Sequence, residues 1–409
     1  MPGARPDLCI LCKGYRNLCG LGYCPLVRSL RANIQSLHGI GNNLELTGST
    51  PPSVIVGEKG YPRVRLYYGV PPGVYGENAK EFDNPVSWFM RKTLGDIMEL
   101  RSRLLNIVLT GYVNTPERLY EKEVGLAAVS VKPVDTEVLL SKKPVPRISF
   151  DAIIPPRGPA APAKKVRVVG NPVLPRKLDK IIWDDVKASD AVWELYKSGV
   201  DFYTITRAFT LGFIGRRMQK KLVPTRWGIT AIDSLLTEKM LSVIRSKPLI
   251  DNTIVFYGEY LYNKYVIVLY PSRYTGTWIE VWHPKSLWNP SREPSWLIVT
   301  ESFSGKLSVM DGGYLAARTS VVEYLYSIGR QAGVVILREV MPQYIFPVGN
   351  WQIRETVKYA LKKQPVLKNP KPDELRGFIK KNMKVPDKII DVVLKKVYKV
   401  KHAAIDEWF

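Results

Sequence analysis

The spacing of apolar and polar positions changes period several times along the chain, and each change marks an element. Pro52 to Gly73 reads as short strands broken by turns: Ser53-Val54-Ile55-Val56-Gly57, then Gly60-Tyr61-Pro62, then Val64-Arg65-Leu66-Tyr67-Tyr68. From Pro85 to Val113, the spacing of Trp88, Phe89, Leu94, Ile97, Leu100, Leu104, Leu105 and Val108 predicts amphipathic helix. The stretch Pro155-Pro156-Arg157-Gly158-Pro159-Ala160-Ala161-Pro162 predicts an extended loop, because proline supplies no N–H to a helix or a ladder. Asp184 to Arg216 returns to helical spacing, with Val192, Trp193, Tyr196 and Val200 on one face and Gly199 as a helix end. Strand periodicity resumes at Asp251. Asn252–Tyr257 and Tyr265–Tyr270, with Glu259 to Lys264 between them, predict an antiparallel hairpin. A helix from Tyr314 to Gln331 and a strand through Val334-Val335-Ile336-Leu337 follow.

The body is therefore α+β, a mixed α/β arrangement that includes an antiparallel hairpin. Its two ends differ from it. Residues 8–26 gather cysteines among turn-forming residues, and Arg28 to Ser36 predicts a short helix leading away. After Pro372, Leu375, Phe378 and Ile379 mark one short helix; Ile389, Ile390, Val393, Leu394 and Val397 mark a second that starts near Pro386-Asp387. The outer positions of this helical tail carry Lys380, Lys381, Lys384, Lys388, Lys395, Lys396, Lys399 and Lys401. Such a face suits a phosphate backbone, and equally an ordinary solvated surface. The expected division is 1–36, a cysteine knuckle with its lead-in helix; 37–250 and 251–365, two parts of the mixed body; 366–401, the helical hairpin; and 402–409, a terminal peptide.

Composition narrows the function. The 409 residues include 60 Lys+Arg against 37 Asp+Glu, a formal charge of +23, while 45% hydrophobic content is that of an ordinary globular protein. Charge so far from zero attracts polyanions, because neutralised phosphates release condensed counterions. The rival explanation is a lysine-rich thermophilic composition. A membrane partner is not expected, since no run approaches the length of a spanning helix and the N-terminus lacks a signal-peptide core. DNA is the expected partner.

The chemistry lies in three places. Cys9, Cys12, Cys19 and Cys24 are the chain's four cysteines, and four soft thiolates on one short loop match a structural Zn2+. An iron–sulfur cluster and disulfides are the alternatives. A closed shell of four thiolates leaves no position for substrate, so this zinc knuckle is structural. At the opposite end, Ile405, Trp408 and Phe409 fall on one face of a helical turn behind His402. That spacing is similar to the peptide by which replication and repair proteins bind the sliding clamp, with His402 where a glutamine is expected. In the body, Arg226 and Trp227 stand side by side, and Trp351 lies between the pairs Arg338-Glu339 and Arg354-Glu355. Arginine grips phosphate and tryptophan stacks on bases, which makes Arg226, Trp227 and Trp351 candidates for nucleic-acid contact. The competing reading is Arg–Glu buttressing around core tryptophans. A metal-dependent nuclease or nucleotide-processing enzyme would use Asp233, Arg338, Glu339, Arg354 and Glu355, with Mg2+ or Mn2+ on converging carboxylates. His38, His283 and His402, the only histidines, sit in no catalytic motif, and neither a P-loop nor a dinucleotide fingerprint is present.

Taken in order, several strings resemble the archaeal Nre family over nearly the whole chain. They are Cys9/Cys12/Cys19/Cys24-Pro25; Pro52–Gly57 with Gly60-Tyr61-Pro62; Gly158-Pro159; Lys221-Leu222-Val223-Pro224-Thr225-Arg226-Trp227-Gly228-Ile229-Thr230-Ala231; Gly312-Gly313-Tyr314 with Ala317-Arg318; Arg330-Gln331-Ala332; Arg338-Glu339; Pro347-Val348-Gly349 with Trp351; and Arg354-Glu355. The resemblance implies a role in DNA damage repair and, for members with the terminal peptide, binding to the sliding clamp PCNA. It implies no defined reaction. His402 and Gly228, where serine is expected, depart from the pattern. An archaeal cytoplasmic protein associated with the nucleoid is the expected setting.

Overall fold

The computed structural model describes residues 6–30, 44–116 and 123–398. They form two compact units. One comprises described residues of 44–150 and 154–236; the other comprises described residues of 6–30, 151–153 and 237–398. The N-terminal segment carries helices α1 (Pro6–Cys12) and α2 (Pro25–Ser29). The first unit holds β1 (Glu45–Thr50), β2 (Ile55–Val56), β3 (Arg63–Val70), α3 (Pro85–Trp88), α4 (Leu94–Arg103) and β4 (Leu105–Tyr112). It continues through α5 (Val124–Ala127), β5 (Val134–Leu140), β6 (Ala160–Val168), α6 (Arg176–Ile182), α7 (Ala188–Lys197) and α8 (Phe202–Thr210). Helix α9 (Thr225–Ile244) leads on to β7 (Ile254–Tyr260), β8 (Asn263–Tyr270), β9 (Thr275–Trp282), β10 (Ser295–Glu301) and α10 (Gly312–Ile328). The last elements are β11 (Gly333–Val340), α11 (Trp351–Lys362), β12 (Leu367–Lys368), α12 (Pro372–Asn382) and α13 (Asp387–Tyr398). The fold is α+β, and among the described residues no helix is long and apolar enough to cross a membrane.

The first unit is a six-stranded mixed sheet ordered β1-β5-β6-β4-β3-β2. Strand β5 alternates as its sequence demands, with Val134, Thr136, Val138 and Leu140 inward and Asp135 and Glu137 outward. The long helix expected from Pro85 to Val113 is instead two short helices and a strand. Helix α4 opens on a capping box, Thr93 with Asp96, and ends at Leu104, where the backbone turns extended. Leu105, Ile107 and Val108 suit either period; their β-branched run pairs along β3 from Val70↔Leu105 to Arg63↔Tyr112 and becomes a central strand. The proline-rich stretch departs from expectation in the same way. The Pro159 carbonyl accepts the Asn106 N–H at 2.8 Å, and Ala160 begins β6, parallel to β4. Buried Arg101 fixes the approach by donating to the carbonyls of Pro156 (2.6 Å) and Phe82 (2.9 Å) and pairing with Asp83 at 3.0 Å. Gly158 is required there, because a Cβ would collide with the carbonyl oxygens of Arg101 and Leu104. Within Asp184–Arg216, helix covers only α7 and α8. Gly199 (φ +82°) breaks it and Asp201 caps α8 through the N–H groups of Tyr203 and Thr204.

The second unit is built on a sheet ordered β10-β9-β11-β8-β7-β12. Its predicted hairpin is β7–β8, closed by Leu261 and Tyr262, both at positive φ as a two-residue twisted turn requires. Strand β11 is central, parallel to β9 and antiparallel to β8, and buried along its length. On one sheet face Val266, Val268, Val335 and Leu337 pack against Leu375, Ile379, Ile389, Ile390 and Val393 of α12 and α13. Each such fully buried aliphatic side chain contributes about 1.5–3 kcal/mol of hydrophobic stabilisation. The opposite face meets α10 and α11, where the Trp278 and Tyr314 rings lie 6.4 Å apart and Tyr265 donates to Gln352 at 3.0 Å. Helix α10 is capped by Asp311 and stopped by Gly329 in the left-handed region. The helical hairpin thus docks by its apolar stripe, with Lys380, Lys381, Lys384, Lys388, Lys395 and Lys396 exposed. Lys380 pairs with Asp387 at 2.7 Å and Lys388 lies 4.0 Å over the Trp296 ring. Lys399 and Lys401 lie outside the described residues.

Candidate nucleic-acid interface

The string Pro224–Ala231 forms the start of α9 in the first unit. Thr225 Oγ1 accepts the Val56 N–H at 2.8 Å and so ties the helix to β2. Gly228 brings α9 close to α8, since a Cβ would run into the Thr210 methyl group. That contact gives a physical reason for glycine where serine was expected. Arg226 pairs with Glu58 at 3.2 Å, while Trp227 is 55% exposed. Asp233, two turns later, is fully buried. Of the candidates in this string, Trp227 and Arg226 are the ones a ligand can reach.

In the second unit Arg338 and Glu339 are consecutive in β11, so the pleat sends them to opposite faces. Arg338 joins a buried charge cluster. Its Nη1 lies 2.5 Å from Glu280 Oε1, and Nε and Nη2 donate to Asn263 Oδ1 at 3.0 and 2.6 Å. Lys13 Nζ reaches both Glu280 and Asp311 at 2.7 Å, and Asp311 also accepts the Tyr314 N–H that starts α10. Burial alone would raise the Asp311 carboxyl, but Lys13 holds it below the usual carboxylate range. Two cations against two carboxylates leave the cluster neutral. The cavity beside it, lined by Lys13, Asp311, Arg338 and Tyr344, is about 20 Å³, room for about one water. Around it the strings near Gly312 and Gly349 meet: Asn350 donates to the Gly312 carbonyl at 2.7 Å, and Val348 N–H donates to the Tyr344 hydroxyl at 3.1 Å. This centre is saturated by its own partners and fastens the N-terminal segment to the sheet.

Glu339 faces the other way, where its Oε1 lies 2.7 Å from His283 Nε2 and accepts the Lys384 N–H at 2.6 Å. Arg354 is buried on α11 and Glu355 half-buried beside it. Trp351 is only 3% exposed, its ring edge-on to Tyr260 at 6.2 Å, so no base can stack on it without displacing α11. Among the described residues no three histidine, cysteine or carboxylate side chains stand in ligating arrangement.

The cysteine segment is compact. Cys9 and Cys12 lie a helical turn apart on α1, Cys19 sits in the following turn and Cys24 caps α2. Lys13, Gly14, Asn17, Gly20 and Gly22 all take positive φ, which folds the loop tightly. None of the four thiols is in a disulfide. Burial pushes the Cys24 thiol up, the Val27 and Leu26 N–H groups pull it down, and neighbouring Cys12 and Cys19 raise it further. A Cβ on Gly14 would meet Val27 at 2.9 Å and Cys24 Sγ at 3.3 Å, so glycine keeps the thiol in place. The thiols are neighbours rather than a finished cage, and their number and softness fit Zn2+. His402, Ile405, Trp408 and Phe409 lie outside the described residues.

Sequence reasoning missed Lys13, Glu280 and Asp311. The one available signal was Glu280, a lone carboxylate in the apolar run Trp278-Ile279-Glu280-Val281-Trp282.

Fold and site define a strongly basic α+β protein of two sheet-centred units with a cysteine-rich N-terminal loop. The chain belongs to the archaeal Nre family: the family's N-terminal region matches residues 18–289 and its C-terminal region residues 301–408. It is similar to two proteins of Archaeoglobus fulgidus. The one named DNA repair protein NreA is 34% identical over 362 residues, covering 87% of this chain and 89% of the relative. The one named DNA repair protein NreB is 35% identical over 355 residues, covering 86% and 87%. A Haloferax volcanii DNA repair protein NreA is 32% identical over 327 residues, covering 77% and 78%. No solved structure matches the chain.

Proposed function

We propose that the protein acts in DNA repair by binding DNA directly and is recruited to it by the sliding clamp through the C-terminal peptide. The observation that carries the reading is the match of both halves of the chain to a family whose relatives are named DNA repair proteins. The charge of +23 supports contact with a polyanion, and Trp227 beside Arg226 supplies an accessible stacking surface next to a cation. The cysteine loop holds a structural Zn2+ on Cys9, Cys12, Cys19 and Cys24, which draws the clustered thiols together and keeps the loop folded. Binding without turnover is favoured over the nuclease reading by the internal pairing of Glu339 with His283 and of Arg338 with Glu280.

The test is to incubate purified full-length protein with labelled single- and double-stranded DNA, with and without Mg2+ or Mn2+. Retention with the strands intact is the expected outcome; cleavage lost in Glu339→Gln would establish the enzyme reading instead. Clamp recruitment is separate. Deleting Ile405–Phe409 is expected to abolish capture on immobilised PCNA while leaving DNA binding in place, and undiminished capture would refute that assignment.

A further inference from the structure

A second surface of the first unit carries a feature that no motif singles out, and of its residues only Lys221 falls within a family string. Helix α6 ends at Ile182, and Trp183 follows with 63% of its surface exposed. Across from it runs the basic segment Arg216-Arg217-Met218-Gln219-Lys220-Lys221, whose Met218 is 95% exposed. Between them lies an open basin of about 760 Å³, lined by Trp183, Arg217, Met218, Lys220 and Lys221. That volume is in the size class of small-ligand sites, about 300–1,000 Å³, and not that of a duplex face.

Part of this arrangement is structural. Lys220 Nζ donates to the Ile182 carbonyl at 2.6 Å, satisfying an orphan oxygen at the end of α6, and the Arg217 N–H donates to Asp185 at 2.7 Å. Those bonds account for where the Lys220 ammonium and the Arg217 backbone sit. They do not account for the exposure of the Trp183 and Met218 side chains, nor for the local charge. The segments Trp183–Lys187 and Arg216–Lys221 carry five cationic side chains against the two carboxylates Asp184 and Asp185. Burial, and after it the neighbouring Arg217, push the Lys220 ammonium below its usual value against the opposing pull of Asp185 and Asp184. Exposed aromatic surface flanked by cations is what an unpaired nucleic-acid strand recognises: the ring takes a base and the cations take the phosphates.

We propose that this basin is a single-strand site, with Trp183 stacking an unpaired base and Arg217, Lys220 and Lys221 holding its flanking phosphates. The inference rests on direct DNA binding, argued above, and adds which form of DNA is held and where. A duplex keeps its base faces stacked on one another, so Trp183 discriminates in favour of unpaired DNA.

The test is a fluorescence-anisotropy titration of full-length protein against a labelled oligothymidylate and a labelled hairpin duplex. Trp183→Ala is expected to weaken oligothymidylate binding by roughly tenfold and Trp183→Phe to restore most of it, while duplex affinity changes by less than about twofold. The Arg217→Ala/Lys221→Ala double variant is expected to reduce the slope of log affinity against log salt on the single strand by about 1.4. If Trp183→Ala binds oligothymidylate like the wild type, if it loses both substrates equally, or if phenylalanine fails to restore binding, the inference is overturned and direct DNA binding stands. If the wild type retains neither DNA at low salt, both readings fall together.

Discussion

Replacing Glu280 with glutamine is expected to destabilise the second unit by about 3–5 kcal/mol, the usual cost of removing one member of a buried ion pair. Glu280 is fully buried and holds both Arg338 (2.5 Å) and Lys13 (2.7 Å). Without it, the two cations share only Asp311, and one positive charge is left inside the fold. The same bookkeeping of charges predicts partial rescue. Arg338→Met alone strands Glu280 with Lys13 and Asp311, whereas Glu280→Gln with Arg338→Met leaves the Lys13–Asp311 pair neutral. The double variant is therefore expected to be more stable than the sum of the single losses implies, a coupling readable by urea denaturation of the four proteins. A Glu280→Gln protein within about 0.5 kcal/mol of wild type, or strictly additive losses, would show that the cluster does not hold the unit together.

The second large effect concerns the cysteine loop. Its described residues bury little: Ile10, Cys12 and Leu26 are the main inward apolar side chains, beside Lys13 with its ion pairs. A loop of this size with several residues at positive φ needs a cross-link, and structural zinc supplies about 10–16 kcal/mol in isolated knuckle peptides. The purified protein is expected to carry about one zinc ion per chain. Cys12→Ser and Cys24→Ser are each expected to lose it and to lower the thermal midpoint, with a strong chelator acting likewise on the wild type. Elemental analysis reads the first result and calorimetry the second. Iron with visible absorbance would identify a cluster instead, thiols unreactive until reduced would identify disulfides, and reactive thiols without any metal would refute all three.

How legible the structure was in the sequence depends on where the deciding contact lies. Helices α12 and α13 and the β7–β8 hairpin were legible, because period, proline and turn chemistry are local and agree with the packing that follows. Leu104 to Val108 were not, because a run of aliphatics satisfies both periods and only the partner strand β3 decides. The proline-rich stretch misled for a related reason: β6 begins within it as an interior strand between β5 and β4, and Arg101, distant in sequence, fixes its approach. Strand order has no local signature at all. For the candidate site, adjacency in sequence suggested one Arg338–Glu339 unit, and the pleat of β11 divides it between two faces. Lys13 was hidden by its place among the cysteines, since its partners Glu280 and Asp311 come from far along the chain. Of the two tryptophans singled out as stacking candidates, Trp227 is exposed and Trp351 is buried, a difference their immediate sequence neighbours do not encode.

The measurement that bears most directly on the account is the affinity of the full-length wild-type protein for DNA as a function of salt. A protein that neutralises phosphates directly must weaken as salt rises, with log affinity falling linearly against log salt by about 0.9 per duplex phosphate contacted and about 0.7 per single-strand phosphate. The predicted result is tight retention at low salt and a steep, linear loss on raising it, with the strands intact throughout. Absence of retention at low salt, or affinity indifferent to salt, would contradict direct binding and reduce the charge of +23 to a property of composition.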